Sequence, residues 1–172
     1  MSVGAGLRAV AVHEPTHAAV VLRGDTLLVF DLLSGERTGE LTLPAPGTAL
    51  AVLPDPAWAV VALETPHGII LVDIAALQVL AMLSLSTAQS ITVHPLTGES
   101  LAVDAGSKTL LRISLQDRLV LEKLDLPAEP LSVAVDPGLH LAVVPIHSED
   151  GGVLQIVQHP VPATADEKSG DA

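Results

Sequence analysis

The sequence predicts an all-β fold, a β-propeller of four four-stranded blades, and three observations carry that prediction. A pattern of about 42 residues recurs four times along the chain, which is the period of a propeller blade. The apolar runs within each copy alternate or are continuous and β-branched, whereas a helical repeat would space them three and four apart. Between the runs stand short clusters rich in Pro, Gly and Asp, the punctuation of turns and hairpins.

The four copies are expected over about 7–48, 49–89, 90–129 and 130–160. Each opens on an alternating strand, written AVAV before His13, LAVL before Pro54, ITV before His94 and SVAV before Asp136. A proline-bearing turn follows in every copy, as HEPT at 13–16, PDPA at 54–57, HPLTG at 94–98 and DPGL at 136–139. The second strand reads HAAVVL, WAVVAL, SLAVD and HLAVV, and leads into hairpin chemistry such as RGDT at 23–26 and AGSKT at 105–109. The third strand gives the clearest register, with LLVFD ending at Asp31, IILVD at Asp73, LLRIS at Ser114 and VLQIV at Val157. A fourth strand closes the first three copies as LTL at 41–43, LSL at 83–85 and LDL at 124–126. Taken alone, Ile74–Leu85 also fits an amphipathic helix, and only alignment with the neighbouring copies makes it a strand.

The fourth copy has no comparable closing strand, because 161–172 is Pro-rich and then polar and acidic and reads as a disordered tail. A row of unpaired strand edges is normally avoided. Three closures follow: residues 1–6 supply the missing strand of a small closed ring, two chains join into one ring as a homodimer, or the chain is part of a larger propeller.

Composition narrows the function. The 172 residues hold one Trp, one Phe and no Tyr, so the core must be built from aliphatic side chains and stacking platforms for sugars or unpaired bases are nearly absent. The net charge of −12 repels phosphate backbones, which argues against nucleic acid. The stretch from Ala49 to Gln89 has no Lys or Arg, and suits either a partner interface or an enclosed central unit. Without cysteine there is neither a disulfide framework nor a thiol nucleophile. Met1 to Arg8 show no basic segment followed by an apolar one, so a cytoplasmic protein is expected as written, and a periplasmic or extracellular one if the chain is a piece of a longer precursor. The apolar stretch Ile69–Leu85 is interrupted by Asp73 and Gln78, and no membrane segment is expected.

Several motifs are weighed as chemistry. His13-Glu14-Pro15-Thr16-His17 matches HExxH, in which a helix brings two imidazoles to one zinc and the Glu polarises water. Pro15 disfavours helical geometry at Glu14, and the repeat places the segment in an interstrand turn, so the turn reading is preferred. Glu36 is a conceivable third ligand that nothing places nearby. Arg23-Gly24-Asp25 matches an adhesion tripeptide but is ordinary hairpin sequence. The position closing the first strand of each copy holds His13, Leu53, His94 and Asp136, and in a propeller such residues gather near one end of the channel. His13, His17, His94 and Asp136 are therefore the candidate metal ligands, with Asp or His capping its own turn as the plainer role. His67, His140, His147 and His159 share no spacing and are read as surface or turn residues. No GxSxG elbow, P-loop, GxGxxG after a strand, or CxxC occurs, so no catalytic residue and no cofactor are assigned.

The order of alternating strand, Asp-Pro or His-Pro turn, apolar strand, Gly-rich turn and strand ending in Asp resembles the YVTN and NHL type of bacterial propeller over about Leu7 to Gln158, best at 91–115, ITVHPLTGESLAVDAGSKTLLRISL. The chain departs from that family in having four units where six or seven are common, and in its lack of aromatics. The resemblance implies a repeat scaffold that presents loops and blade edges to a protein partner. It also allows a lactonase-like, cation-dependent hydrolytic propeller. A zinc metallopeptidase through the HEPTH segment is the third and weakest reading.

Overall fold

The alternating runs form strands throughout the computed structural model, which describes residues 5–65, 67–85, 88–148 and 151–158. The first sheet comprises β1 (Leu7–His13), β2 (Ala18–Arg23), β3 (Thr26–Asp31) and β4 (Arg37–Thr42), and the second comprises β5 (Gly47–Leu53), β6 (Trp58–Leu63), β7 (Gly68–Asp73) and β8 (Gln78–Ser84). The third holds β9 (Ser90–His94), β10 (Glu99–Asp104), β11 (Thr109–Ser114) and β12 (Leu119–Asp125). In the fourth lie β13 (Glu129–Pro130), β14 (Ala134–Asp136), β15 (Leu141–Ser148) and β16 (Gly151–Gln158). The first three sheets are antiparallel meanders in chain order. The segment that taken alone also fits a helix becomes a turn followed by β8.

The fold is repeated down to its irregularities. A register shift falls between Val29 and Phe30, Leu71 and Val72, and Arg112 and Ile113, the same place on the third strand of each sheet. The recurrent Asp or Ser at the end of that strand has a physical cause. Asp31 Oδ1 accepts the backbone N–H groups of Leu33 and Ser34 at 2.6 and 3.1 Å, and Asp73 Oδ1 accepts that of Ala76 at 2.8 Å. In the third sheet Ser114 Oγ accepts the Asp117 N–H at 3.0 Å. Each side chain thus starts the turn leading to the next strand, replacing hydrogen bonds the backbone loses there.

The fourth sheet differs. β16 pairs with β15 along its whole length, while β13 pairs with its end and β14 with its beginning. A strand has two edges, so β13 and β14 share the other one as a single strand interrupted at 131–133. Of the expected closing strand at 1–6, Ala5 and Gly6 belong to no strand and 1–4 lie outside the described residues, as does the expected tail at 161–172.

The sheets stack face to face in chain order, with β1 against β5, β5 against β9, and β9 against β14. Three aliphatic cores fill the seams. Val20, Leu22, Val29, Val61 and Ile70 meet in the first, Val60, Ala62, Leu71, Ala102 and Ile113 in the second, and Leu101, Val103, Val144 and Ile146 in the third. The central strands of a stacked sheet are covered on both faces, which is why β6 and β7 read as continuous apolar runs rather than alternating ones. Fully burying each such side chain contributes about 1.5–3 kcal/mol. At Gly47, a Cβ would stand 2.8 Å from a Leu22 methyl and 2.9 Å from a Val61 methyl, so β5 enters the first seam through a point only glycine fits.

Candidate functional site

The residue closing the first strand sits opposite the residue opening the second in every sheet, as His13 to Ala18, Leu53 to Trp58, His94 to Glu99 and Asp136 to Leu141. The structure shows what these positions do. His13 is buried, and its Nε2 lies 2.9 Å from the carbonyl oxygen of Pro54 in the next sheet. A carbonyl only accepts, so Nε2 carries the proton and Nδ1 accepts from the Thr16 hydroxyl at 2.6 Å. His94 repeats the arrangement. Its Nδ1 accepts the Thr97 N–H at 3.3 Å, which leaves Nε2–H to donate to His140 Nδ1 at 3.1 Å across the next seam. The two rings stack with centroids 5.0 Å apart. Leu53 fills the same position in the second sheet with a buried apolar side chain.

His13 and His94 therefore each reach into the following blade through Nε2. The two histidines act as interblade latches, and His140, which the sequence reading took as a surface or turn residue, is half of one. Asp136 is exposed and its Oδ1 accepts the N–H groups of Gly138 and Leu139 at 2.9 and 3.0 Å, capping its own turn. His17 is exposed in the left-handed conformation (φ 50) that ends a three-residue 3-10 turn, Glu14–Thr16, directly before β2. With His13 turned inward and His17 outward, the HEPTH segment makes no ligand set, and among the described residues no group of three or more His, Asp or Glu is placed to hold a metal ion. Arg23 ends β2 and Thr26 opens β3, so the Arg-Gly-Asp tripeptide lies at a two-residue hairpin turn. His67 is exposed in a turn and His147 on β15, while His159 is outside the described residues.

A site the motifs did not show lies between the second and third blades. The turn after β5 (Asp55, Pro56) with Trp58 at the start of β6, the turn after β9 (Pro95, Leu96, Thr97) and the turn after β11 (Gln116, Asp117) enclose a cleft of about 660 Å³. Its lining is mixed, with the half-buried Trp58, Leu121 and the 71% exposed Leu96 beside Thr97, Ser114 and Gln116. Asp55, Glu99 and Asp117 are its charged lining residues, and no Lys or Arg lines it. Burial raises the Glu99 carboxyl above the ordinary carboxylate value, a shift opposed by attraction to Arg112 and His94 and reinforced by Glu122. Arg112 stands between the two acids, its Nε 3.7 Å from Glu99 and a terminal nitrogen 3.6 Å from Glu122. The volume is that of a site for a small ligand or a few peptide side chains. Its chemistry combines apolar side chains with three carboxylates.

No protein-family model matches the sequence, and no curated protein matches it. Solved structures do match. The chain is similar to Kuenenia stuttgartiensis hydrazine synthase with a TM-score of 0.80 at 16% identity, covering 89% of this chain and 46% of that one. The fold is a β-propeller. U3-55K matches with a TM-score of 0.75 at 8% identity over 92% of this chain and 53% of its own, and the RRP9 WD40 repeats with 0.74 at 8% over 92% and 52%. The chain thus spans about half the length of the solved structures it matches, and at these identities the likeness is one of fold alone. No helix among the described residues is long and apolar enough to cross a membrane.

Proposed function

We propose that the chain is a non-enzymatic propeller scaffold of the YVTN and NHL type, with blades over about 7–48, 49–89, 90–129 and 130–160, and that it holds a protein partner in the cleft between its second and third blades. The observation that carries this reading is the pairing of Trp58 and the exposed Leu96 with Asp55, Glu99 and Asp117 in one cleft. Trp is the residue type most enriched at binding hot spots, and a large apolar side chain exposed beside it lowers the cost of desolvation on contact. The carboxylates, in a chain of net charge −12, favour a segment that presents an aliphatic side chain flanked by Lys or Arg. A neighbour titled as WD40 repeats supports a scaffold reading at the level of fold.

Trp58 is the sole tryptophan, so intrinsic fluorescence reports on this cleft alone. Titration with short peptides of sequence type Lys-Leu-Arg should shift Trp58 emission saturably, with acidic counterparts of the same length giving no shift. Leu96→Ser should weaken the basic peptide about tenfold, the loss of roughly 1.4 kcal/mol of apolar contact. Emission indifferent to every basic-apolar peptide, or equal response to acidic ones, would remove the cleft as the contact site.

A further inference from the structure

The blade repeat places a second cleft beside the one that holds Trp58. Ala18, Asp31 and Thr38 of the first blade and Ala57, Ala75 and Leu77 of the second line a volume of about 270 Å³ between those blades. Repeat positions show the two clefts to be counterparts one seam apart. Ala18 in the one and Trp58 in the other open the second strand of their blades. Ala57 and Gly98 each directly precede the second strand of the following blade, and Ala75 and Gln116 each stand two residues beyond the end of its third strand. The turn after β5 lines both, through Ala57 on the Asp31 side and through Asp55 and Pro56 on the Trp58 side.

The two clefts differ in what they accept. In the Asp31 cleft the counterpart of the indole is the methyl of Ala18, and Leu77 lies against the bare backbone of Gly39, where a Cβ would stand 2.7 Å from a Leu77 methyl. The half-buried Asp31 is its charged lining residue, and no Lys or Arg lines it. The two turn N–H groups that Asp31 accepts both fall on Oδ1, and a carboxylate has a second oxygen with which to accept. Small apolar residues beside one carboxylate suit a long basic side chain, whose stem packs on the apolar groups while its charged end reaches the acid. The Trp58 cleft, with Leu96 and Leu121, suits an aliphatic one.

Their spacing selects a backbone conformation. Successive seams lie one sheet-to-sheet distance apart, about 10 Å. Same-face residues of an extended strand stand about 7 or 13 Å apart, which falls short or overshoots. A polyproline II segment turns once every three residues with a rise of about 3.1 Å each, so its same-face residues stand about 9 Å apart.

We propose that the Asp31 cleft is a second subsite for the same partner, which presents a polyproline II segment with an aliphatic side chain in the Trp58 cleft and an Arg or Lys, three residues away, in the Asp31 cleft. The proposal rests on the Trp58 cleft as the contact site, and adds to it the conformation of the partner and the spacing of its two anchors.

Peptides blocked at both termini, titrated against the full chain and followed by Trp58 emission, test the second subsite separately from the first. Leu-Pro-Pro-Arg or its reverse, Arg-Pro-Pro-Leu, should bind about tenfold more tightly than the same peptide with Ala in place of Arg, through a charge-assisted pair whose stem is also covered. Leu-Pro-Arg and Leu-Pro-Pro-Pro-Arg keep the charge but shift the anchor, and should lose most of that gain. Asp31→Asn retains an Oδ1 for the turn, and Ala75→Lys, at an exposed position, brings an ammonium of the chain's own to the cleft. In each variant the preference for Arg over Ala should fall below about twofold. A preference equal at all three spacings, or one that survives either variant, overturns the second subsite and leaves the Trp58 cleft standing. So does saturable binding of Lys-Leu-Arg with no gain from the four-residue peptides in either direction. Emission unmoved by all of these peptides removes the Trp58 cleft and the second subsite with it.

Discussion

Replacing His94 by Leu tests the interblade latch with the residue that the protein itself uses at the same position in its second blade, Leu53. The substitution removes two hydrogen bonds, from Thr97 N–H at 3.3 Å and to His140 Nδ1 at 3.1 Å. At about 1 kcal/mol net each, and with the half-buried His140 ring able to turn to water, the expected loss is about 1–2 kcal/mol. His94→Ala also opens a hole at a side chain that is 0% exposed, and should cost about 3–4 kcal/mol. His140→Leu leaves the buried Nε2–H of His94 without its acceptor and should cost about 1–3 kcal/mol. Urea unfolding followed by Trp58 fluorescence and by circular dichroism gives these values together with the double variant, whose loss should fall short of the sum by about 1 kcal/mol if the two rings act as a pair. Strict additivity, or a His94→Leu chain as stable as the parent within about 0.3 kcal/mol, would show that the stacked histidines hold nothing together.

Two further outcomes follow from the same packing. Burial raises the carboxyl of Glu99 above its ordinary value of 4.5, so the folded chain takes up that proton more readily than the unfolded one, and the associated stability is lost as pH rises from 4.5 through the raised value. Glu99→Gln cannot ionise, and its urea midpoint relative to the parent should climb across that window and then level off; a difference that is flat or falls with pH would contradict the desolvated position of Glu99. Gly47→Ala should destabilise by about 1–3 kcal/mol by wedging a methyl between Leu22 and Val61, measured as a shift in melting temperature, and an unchanged melt would mean that the first seam is looser than described.

Much of the fold was legible because two signals coincide. Strands covered on both faces are continuous in apolar residues, and Asp31, Asp73 and Ser114 must recur where a side chain replaces lost backbone hydrogen bonds, so the register of the first three blades is written twice. The fourth blade was legible only in part. SVAV reads as one strand up to Asp136, but pairing is limited to Ala134–Asp136 with a separate contact at Glu129–Pro130 extended by the Leu131 N–H to the Pro145 carbonyl, because the Val133 N–H turns instead to Ser90 Oγ. The site was less legible still. His13 and His94 stand out as recurrent, yet their direction depends on the pairing of first and second strands and on the neighbouring blade. His140 escapes any search for shared His spacing because His13, the first-blade counterpart of its partner His94, bonds the Pro54 carbonyl instead, and the second-blade counterpart is Leu53. The cleft at Trp58 draws on turns about 40 residues apart, a blade period that no short motif spans.

The stacking of successive blades is tested most directly by methyl nuclear Overhauser contacts. Val20 and Leu22 should show cross-peaks to Val61 and Ile70, Val60 and Leu71 to Ile113, and Leu101 and Val103 to Val144 and Ile146. Strong contacts between methyls of the first and third sheets, such as Val20 to Ile113, with the first seam silent, would mean a sandwich and not a propeller.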